Sequence, residues 1–153
     1  MSGVSAHIDF DDRELTRAIA ALSTAQIDEL GDVVGALVED QVKRRISDEK
    51  TAPDGSSWEA WSAGYAAQLQ ERGKTAGSLL EQSGDLRDSI QHFSRGDDVH
   101  VGTPLIYGAI HQFGGDVSQG HPAIPARPYL GISDENAREI KELVIGQLEG
   151  LFQ

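Results

Sequence analysis

The side chains in this chain best suited to hold a metal are His111, Asp116 and His121, which fall close together in one segment. A zinc or iron centre needs three or four convergent ligands, and no H-E-x-x-H spacing accompanies these three. The chain has no cysteine to supply a thiolate. A metal-dependent hydrolase built on His111, His121 and Asp116 is therefore the alternative reading, set against histidines that bond the backbone or face solvent. Nucleophilic catalysis lacks its frame as well. Ser78 and Ser83-Gly84 stand outside any G-x-S-x-G elbow. Arg72-Gly73-Lys74-Thr75 ends like a phosphate loop, but Gln68 occupies the place of the upstream glycine and no apolar strand precedes it. The carboxylate pairs Asp11-Asp12 and Asp97-Asp98 read as solvated turns in an acidic chain. No catalytic residue, cofactor or metal is expected.

Charge narrows the partners. Thirteen basic residues face 25 acidic ones, for a net charge of −12. Nucleic-acid binding draws its affinity from basic groups that neutralise phosphates, which this balance disfavours. Lys43-Arg44-Arg45 is the basic cluster, and it falls at the end of an acidic helix pattern, where cations suit the helix dipole. An acidic surface can still line a channel through which DNA passes without sticking. No apolar stretch approaches the roughly 20 residues that cross a bilayer. The opening MSGVSAHIDFDD has neither a basic start nor an apolar signal core, so secretion through a cleaved signal is not expected.

The elements that would carry these residues follow from periodicity. Val4, Ala6, Ile8 and Phe10 alternate with polar residues and predict a short strand. Asp11-Asp12 suit a helix start, with Leu15, Ala18, Ile19 and Leu22 at helical spacing and an interruption at Ser23-Thr24. Ile27, Leu30, Val34, Leu37, Val38 and Ile46 share one side of an amphipathic helix of about 20 residues. Pro53-Asp54-Gly55 is a turn. Trp58 and Trp61 are placed on one face of a short helix running toward Arg72, followed by a flexible loop over 71–78 that is a candidate for partner contact. Gln91 to Ser94 and Val99 to Gly102 form a hairpin around Arg95-Gly96-Asp97-Asp98. Thr103-Pro104 reads as a cap and first helical position, with Tyr107, Ile110 and Phe113 on a helix that stops at Gly114-Gly115. Ser133 opens a C-terminal helix whose apolar face holds Ile140, Leu143, Val144 and Leu148.

The segment from Gly102 to Gly131 holds one acid, Asp116, and one base, Arg127, in a chain otherwise rich in charge. Such a composition points to burial, either in the fold or against another molecule. The fold class is α+β: a small antiparallel sheet packed against a long N-terminal helix and a C-terminal helix, in a single domain over 1–153.

Several ordered motifs resemble the phage virion-morphogenesis family. They are Pro53-Asp54-Gly55 with Trp58, Leu79-Leu80 with Ser83-Gly84, Leu86 and Ser89-Ile90, then Tyr107 with Ile110-His-Gln-Phe-Gly-Gly115, and last Ile124-Pro-Ala-Arg-Pro-Tyr-Leu-Gly131. Gly108 stands where alanine is expected after the tyrosine, and Trp61 where an aliphatic residue is common. The resemblance spans roughly residues 10 to 150. It implies a structural tail-completion protein, a tail terminator or head-tail joining subunit, with a neck adaptor as the alternative position. It further implies self-association into a ring, with six copies matching a tail tube, in contact with tail-tube, sheath or head-connector proteins. The site would be the virion tail or neck, assembled in the host cytoplasm, with DNA passing through the channel. Tyr107, His111, Gln112, Phe113, Gly114, Gly115, Pro125, Arg127, Pro128 and Tyr129 are the candidates for subunit interface or fold support. Pro53, Gly55, Trp58 and Leu86 are the candidate structural anchors.

Overall fold

The computed structural model describes residues 4–6, 12–73, 79–81, 83–120 and 123–152. Helix α1 (Arg13–Ala20) begins where Asp12 Oδ1 accepts the backbone N–H groups of Glu14 and Leu15, at 3.0 and 3.2 Å. The expected interruption follows, and α2 (Thr24–Arg44) restarts on a reciprocal cap between Ser23 and Gln26. Such a cap satisfies two of the backbone donors that a helix start leaves open. A π-helical turn, Arg45–Glu49, prolongs α2 and ends at Lys50 in the left-handed conformation, φ 53°. Its ammonium is held by the carbonyls of Ile46 and Leu79 and by the carboxylate of Glu81. Helices α3 (Ala63–Glu71) and α4 (Asp85–Ser89) come next. Strands β1 (Gln91–Arg95) and β2 (Asp98–Gly102) pair antiparallel from Gln91↔Gly102 to Arg95↔Asp98, closed by Gly96-Asp97. Helix α5 (Gly108–Phe113) and a 3-10 turn (Val117–Gln119) precede α6 (Asp134–Leu151), which Ser133 and Asn136 cap reciprocally.

Helix α2 is the shared wall. The hairpin packs along it, and so does α6. Gly35 lets the hairpin come close: a Cβ there would lie 2.5 Å from the His92 ring, and one at Gly31 would lie 3.0 Å from Ser94. Polar ties reinforce the contact, His92 Nδ1 to Glu39 at 2.5 Å and Ser94 Oγ to Asp32 at 2.8 Å. One apolar cluster gathers Val42, Ile46, Trp58, Leu86, Ile90, Tyr129 and Leu130; a second gathers Leu15, Ile140, Val144 and Leu148. Val38 packs against both, so the clusters form one continuous interior.

The α+β class, the long helix, the hairpin and the capped C-terminal helix stand as read from periodicity. Five local readings change. Trp58 and Trp61 precede α3 in a non-helical stretch, because the Trp58 indole N–H reaches the Pro128 carbonyl at 2.8 Å and its ring enters the core. Thr103 does not cap a helix. Its buried hydroxyl pairs with Ser89 Oγ at 2.6 Å and accepts the Leu105 N–H at 3.1 Å, and α5 starts only at Gly108. Arg45 leaves the basic cluster for the interior, whereas Lys43 and Arg44 pair with Glu39 and Asp40 one turn back. Val4 to Ala6 is irregular, and the rest of the expected strand, 7–10, lies outside the described residues. Of the expected loop over 71–78, Glu71 belongs to α3 and Arg72-Gly73 to the turn after it; 74–78 lie outside the described residues.

Candidate functional site

The stretch from Ile124 to Gly131 has no regular secondary structure, yet five other parts of the chain grip it. From α5, the Gln112 side-chain oxygen accepts the N–H groups of Tyr129 and Leu130 at 3.1 and 2.9 Å, while its amide donates to the Leu130 carbonyl at 3.2 Å. The backbone just after α5 adds Gly115 N–H to Ile124 O at 2.8 Å, and Arg127 N–H returns to His111 O at 2.7 Å. From α2 and its π turn, Arg45 donates to the carbonyls of Tyr129 and Gly131 at 2.7 and 3.1 Å and to Asn136 Oδ1 of α6 at 2.5 Å. From the turn before α3, Trp58 binds Pro128 O, and the Pro53 ring packs where a Cβ on Gly131 would have to be, 2.6 Å away. Arg127 reaches back, donating to Glu59 O at 2.8 Å and Ala60 O at 3.4 Å.

Burial sets the electrostatics of this knot. Tyr129 has no exposed surface, and its hydroxyl donates to Gly108 O at 2.8 Å. Burial pushes that phenol up to about 12, so it stays a donor at any ordinary pH. Burial likewise draws Arg45 and Arg127 down from the usual guanidinium range, with Glu49 and Glu59 acting in opposition. Burial, then the charge of Arg127, draws His111 below 6.5, and its inaccessible Nδ1 has no partner among the described residues. The glycine at 108 is explained here: a Cβ would lie 2.4 Å from Thr103 Cγ2 and 2.8 Å from the Tyr129 hydroxyl. At Gly114, φ 80° and a Cβ position 3.0 Å from the backbone at Ala126 and Ile124 both require glycine.

The sequence-derived candidates thus divide. Gln112, Arg127 and Tyr129 are buried, Pro125 and Pro128 half-buried; Trp58 and Leu86 join Tyr129 in the core cluster, and Pro53 packs on Gly131. Tyr107 and Phe113 are exposed, and the structure adds Ile106, 96% exposed, and Val117, 70% exposed, beside them. His111 lies between, its ring edge-on to Tyr107. Periodicity missed Arg45, Gln41 and Asn136, all buried polar residues. The proposed metal ligands do not converge among the described residues: Asp116 caps the 3-10 turn through Ser118, and His121 lies outside them.

A second surface feature is a groove of about 480 Å³ between the N-terminal half of α2, the hairpin turn, α6 and residues 130–132. Its lining mixes polar surface with apolar side chains: Ile27, Leu30, Val34, Val99 and Ile132 are half-buried, Val42, Ile140 and Val144 are buried, and Asp97 and Asp98 at the hairpin turn are its charged residues.

The phage virion morphogenesis family matches this chain over residues 10–149. Protein G of Escherichia phage Mu, to which capsid assembly is ascribed, is 32% identical over 141 residues, covering 90% of each chain. The Mu-like prophage FluMu G protein 1 of Haemophilus influenzae is 24% identical over 143 residues, 94% of this chain and 84% of that one. FluMu G protein 2 of the same organism is 39% identical over 67 residues, 43% of this chain and 49% of its own. No solved structure matches.

Proposed function

This chain belongs to the phage virion morphogenesis family, and from that premise we propose that it is a tail-completion protein, a subunit whose copies form a ring that ends tail-tube growth and docks the head. The observation that carries this reading is the set of exposed apolar residues before, on and after α5. Ile106, Tyr107, Phe113 and Val117 lie bare within a segment that has one acid and one base, on a chain of net charge −12. Scattered apolar residues are normal on a surface, but several large ones exposed within one short, nearly uncharged stretch suit a place where another molecule sits. Interface cores combine aromatics with a lack of charge in this way. The acidic remainder suits the lining of a channel that DNA traverses without adhering. No described helix is long and apolar enough to cross a membrane.

A position on the head side of the neck is the second reading, because capsid assembly is ascribed to the Mu relative. Electron microscopy of particles from the parent phage with this gene deleted separates the two. Tail completion predicts overlong or ragged tail tubes and finished heads, joined when purified protein is added. Normal tails with defective heads would favour the head side, and normal joined virions would sink both.

A further inference from the structure

We infer that residues 79–81 form a latched segment, pinned to the core by the Lys50 ammonium and able to open while the rest of the fold stays closed. The inference stands apart from the tail-completion reading. Leu79 is buried in the cluster that holds Val42, Ile46 and Ile90, and Leu80 packs against the same cluster. Successive side chains of an extended chain point to opposite faces, so two adjacent leucines reach one core only if the backbone turns between them. It turns at Leu80, whose φ of 60° lies in the left-handed region that bulky side chains avoid. That conformation works against the packing it permits.

Among the described residues, no backbone–backbone hydrogen bond joins 79–81 to another part of the chain. The polar ties are made by side chains and converge on Lys50. Its ammonium donates to Leu79 O and to Glu81 Oε2, each at 2.9 Å, and also to the Ile46 carbonyl. Ser47 and Arg87 add to the hold on Glu81, the Arg87 guanidinium from 3.8 Å. Burial opposes ionisation of Glu81, but hydrogen bonds from Lys50 and Ser47 and the charges of Lys50 and Arg87 outweigh it and keep the carboxyl below 4.5. The pair is only partly shielded, with 20% of the Lys50 and 25% of the Glu81 side chain exposed, so salt can screen it. The surrounding elements have ties of their own. Arg45 fastens the π turn to Tyr129, Gly131 and Asn136, Trp58 bonds to Pro128 O, and the Ser89–Thr103 hydroxyl pair fastens the end of α4. Neutralising either member of the Lys50–Glu81 pair therefore releases 79–81 first, and the strain at Leu80 favours that release. Such a local opening costs less than global unfolding.

The chain has no cysteine, so a single introduced thiol reports its site without background. Leu79→Cys places one under the latch and Ile140→Cys one in the second cluster, both at buried positions. Labelling with a thiol-reactive dye under native conditions reads how often each becomes exposed. Leu79→Cys is expected to react faster than Ile140→Cys. Adding Lys50→Met, which keeps the apolar stem, should speed Leu79→Cys about tenfold or more and leave Ile140→Cys within about twofold. Glu81→Gln, or raised salt on the native pair, should act in the same direction with a smaller effect. Rates at the two sites that rise together, or a Leu79→Cys rate that ignores all three changes, overturn the latch. If Lys50→Met does not fold, the other two responses decide: a Leu79→Cys rate unmoved by both Glu81→Gln and salt overturns it.

Discussion

Tyr129 and Phe113 are aromatic residues of the same uncharged segment, yet Tyr129 has no exposed surface and Phe113 leaves 62% of its surface exposed. Around Tyr129 every neighbour is a tether: Gln112, Arg45, Trp58 and Gly108 each bond or pack against residues 128–131. The Phe113 side chain has no such tether among the described residues, and Ile106 and Val117, close to it in sequence, are exposed as well. Low charge density therefore has two physical origins within one stretch. In the buried half it reflects the cost of desolvating ions that no partner meets. In the exposed half no internal burial explains it, and the contact with another molecule proposed above would.

Substitutions in the two halves should separate these origins. Tyr129→Ala removes the central ring of the knot and should cost about 3–5 kcal/mol, read as a lowered urea midpoint. Arg127→Glu places a carboxylate against the carbonyls of Glu59 and Ala60; a loss of about 3 kcal/mol is expected, with the purified fraction aggregating or unfolding. A stable, folded monomer from Arg127→Glu would instead assign that residue to the interface. Gly108→Ala forces Thr103 and the Tyr129 hydroxyl aside and should cost about 1–3 kcal/mol. Phe113→Asp, by contrast, should change the unfolding free energy by less than about 0.5 kcal/mol while abolishing assembly in light scattering.

The smallest effect is a pH dependence that belongs to the seam between the halves. His111 in the folded chain titrates below 6.5, so as pH falls under that value the unfolded chain takes up the proton first. Stability should then decline with falling pH until the native imidazole also protonates. His111→Gln should flatten that part of the profile. Glu39 and Glu139, held below 4.5 chiefly by hydrogen bonds from Lys43 and Gln41, act only at lower pH. A His111→Gln chain that keeps the full slope between neutral pH and the carboxylate range would assign the dependence elsewhere.

Helical spacing was enough to read α1, α2 and α6, with Asp12 and Ser133 marking two of the starts; Ser23, read as an interruption, is the cap of α2. The hairpin was legible for a similar reason: alternation brackets Gly96-Asp97. What could not be read depends on partners far along the chain. Arg45 looks like a solvated helix end until the carbonyls of Tyr129 and Gly131 are brought to it, since charged groups enter an interior only when paired. Trp58 and Trp61 have a spacing compatible with a helix, and only the distant Pro128 carbonyl decides otherwise. Thr103-Pro104 satisfies every rule for a helix start, but Ser89 takes the hydroxyl first. For the candidate site, the motif residues were legible as a group, while their division into buried and exposed sets was not. Composition records that charge is missing and is silent on which neighbour excludes it.

Gly31 and Gly35, which let the hairpin lie close on α2, have a consequence for how the molecule breathes. Each glycine lowers helix propensity by about 1 kcal/mol relative to alanine, so the first half of α2 has little helicity of its own. Its amide hydrogens therefore owe their protection to what packs on it, the hairpin and α6 alike. Undocking the hairpin would speed amide exchange along the first half of α2 as well as within β1 and β2, including at residues the hairpin never touches.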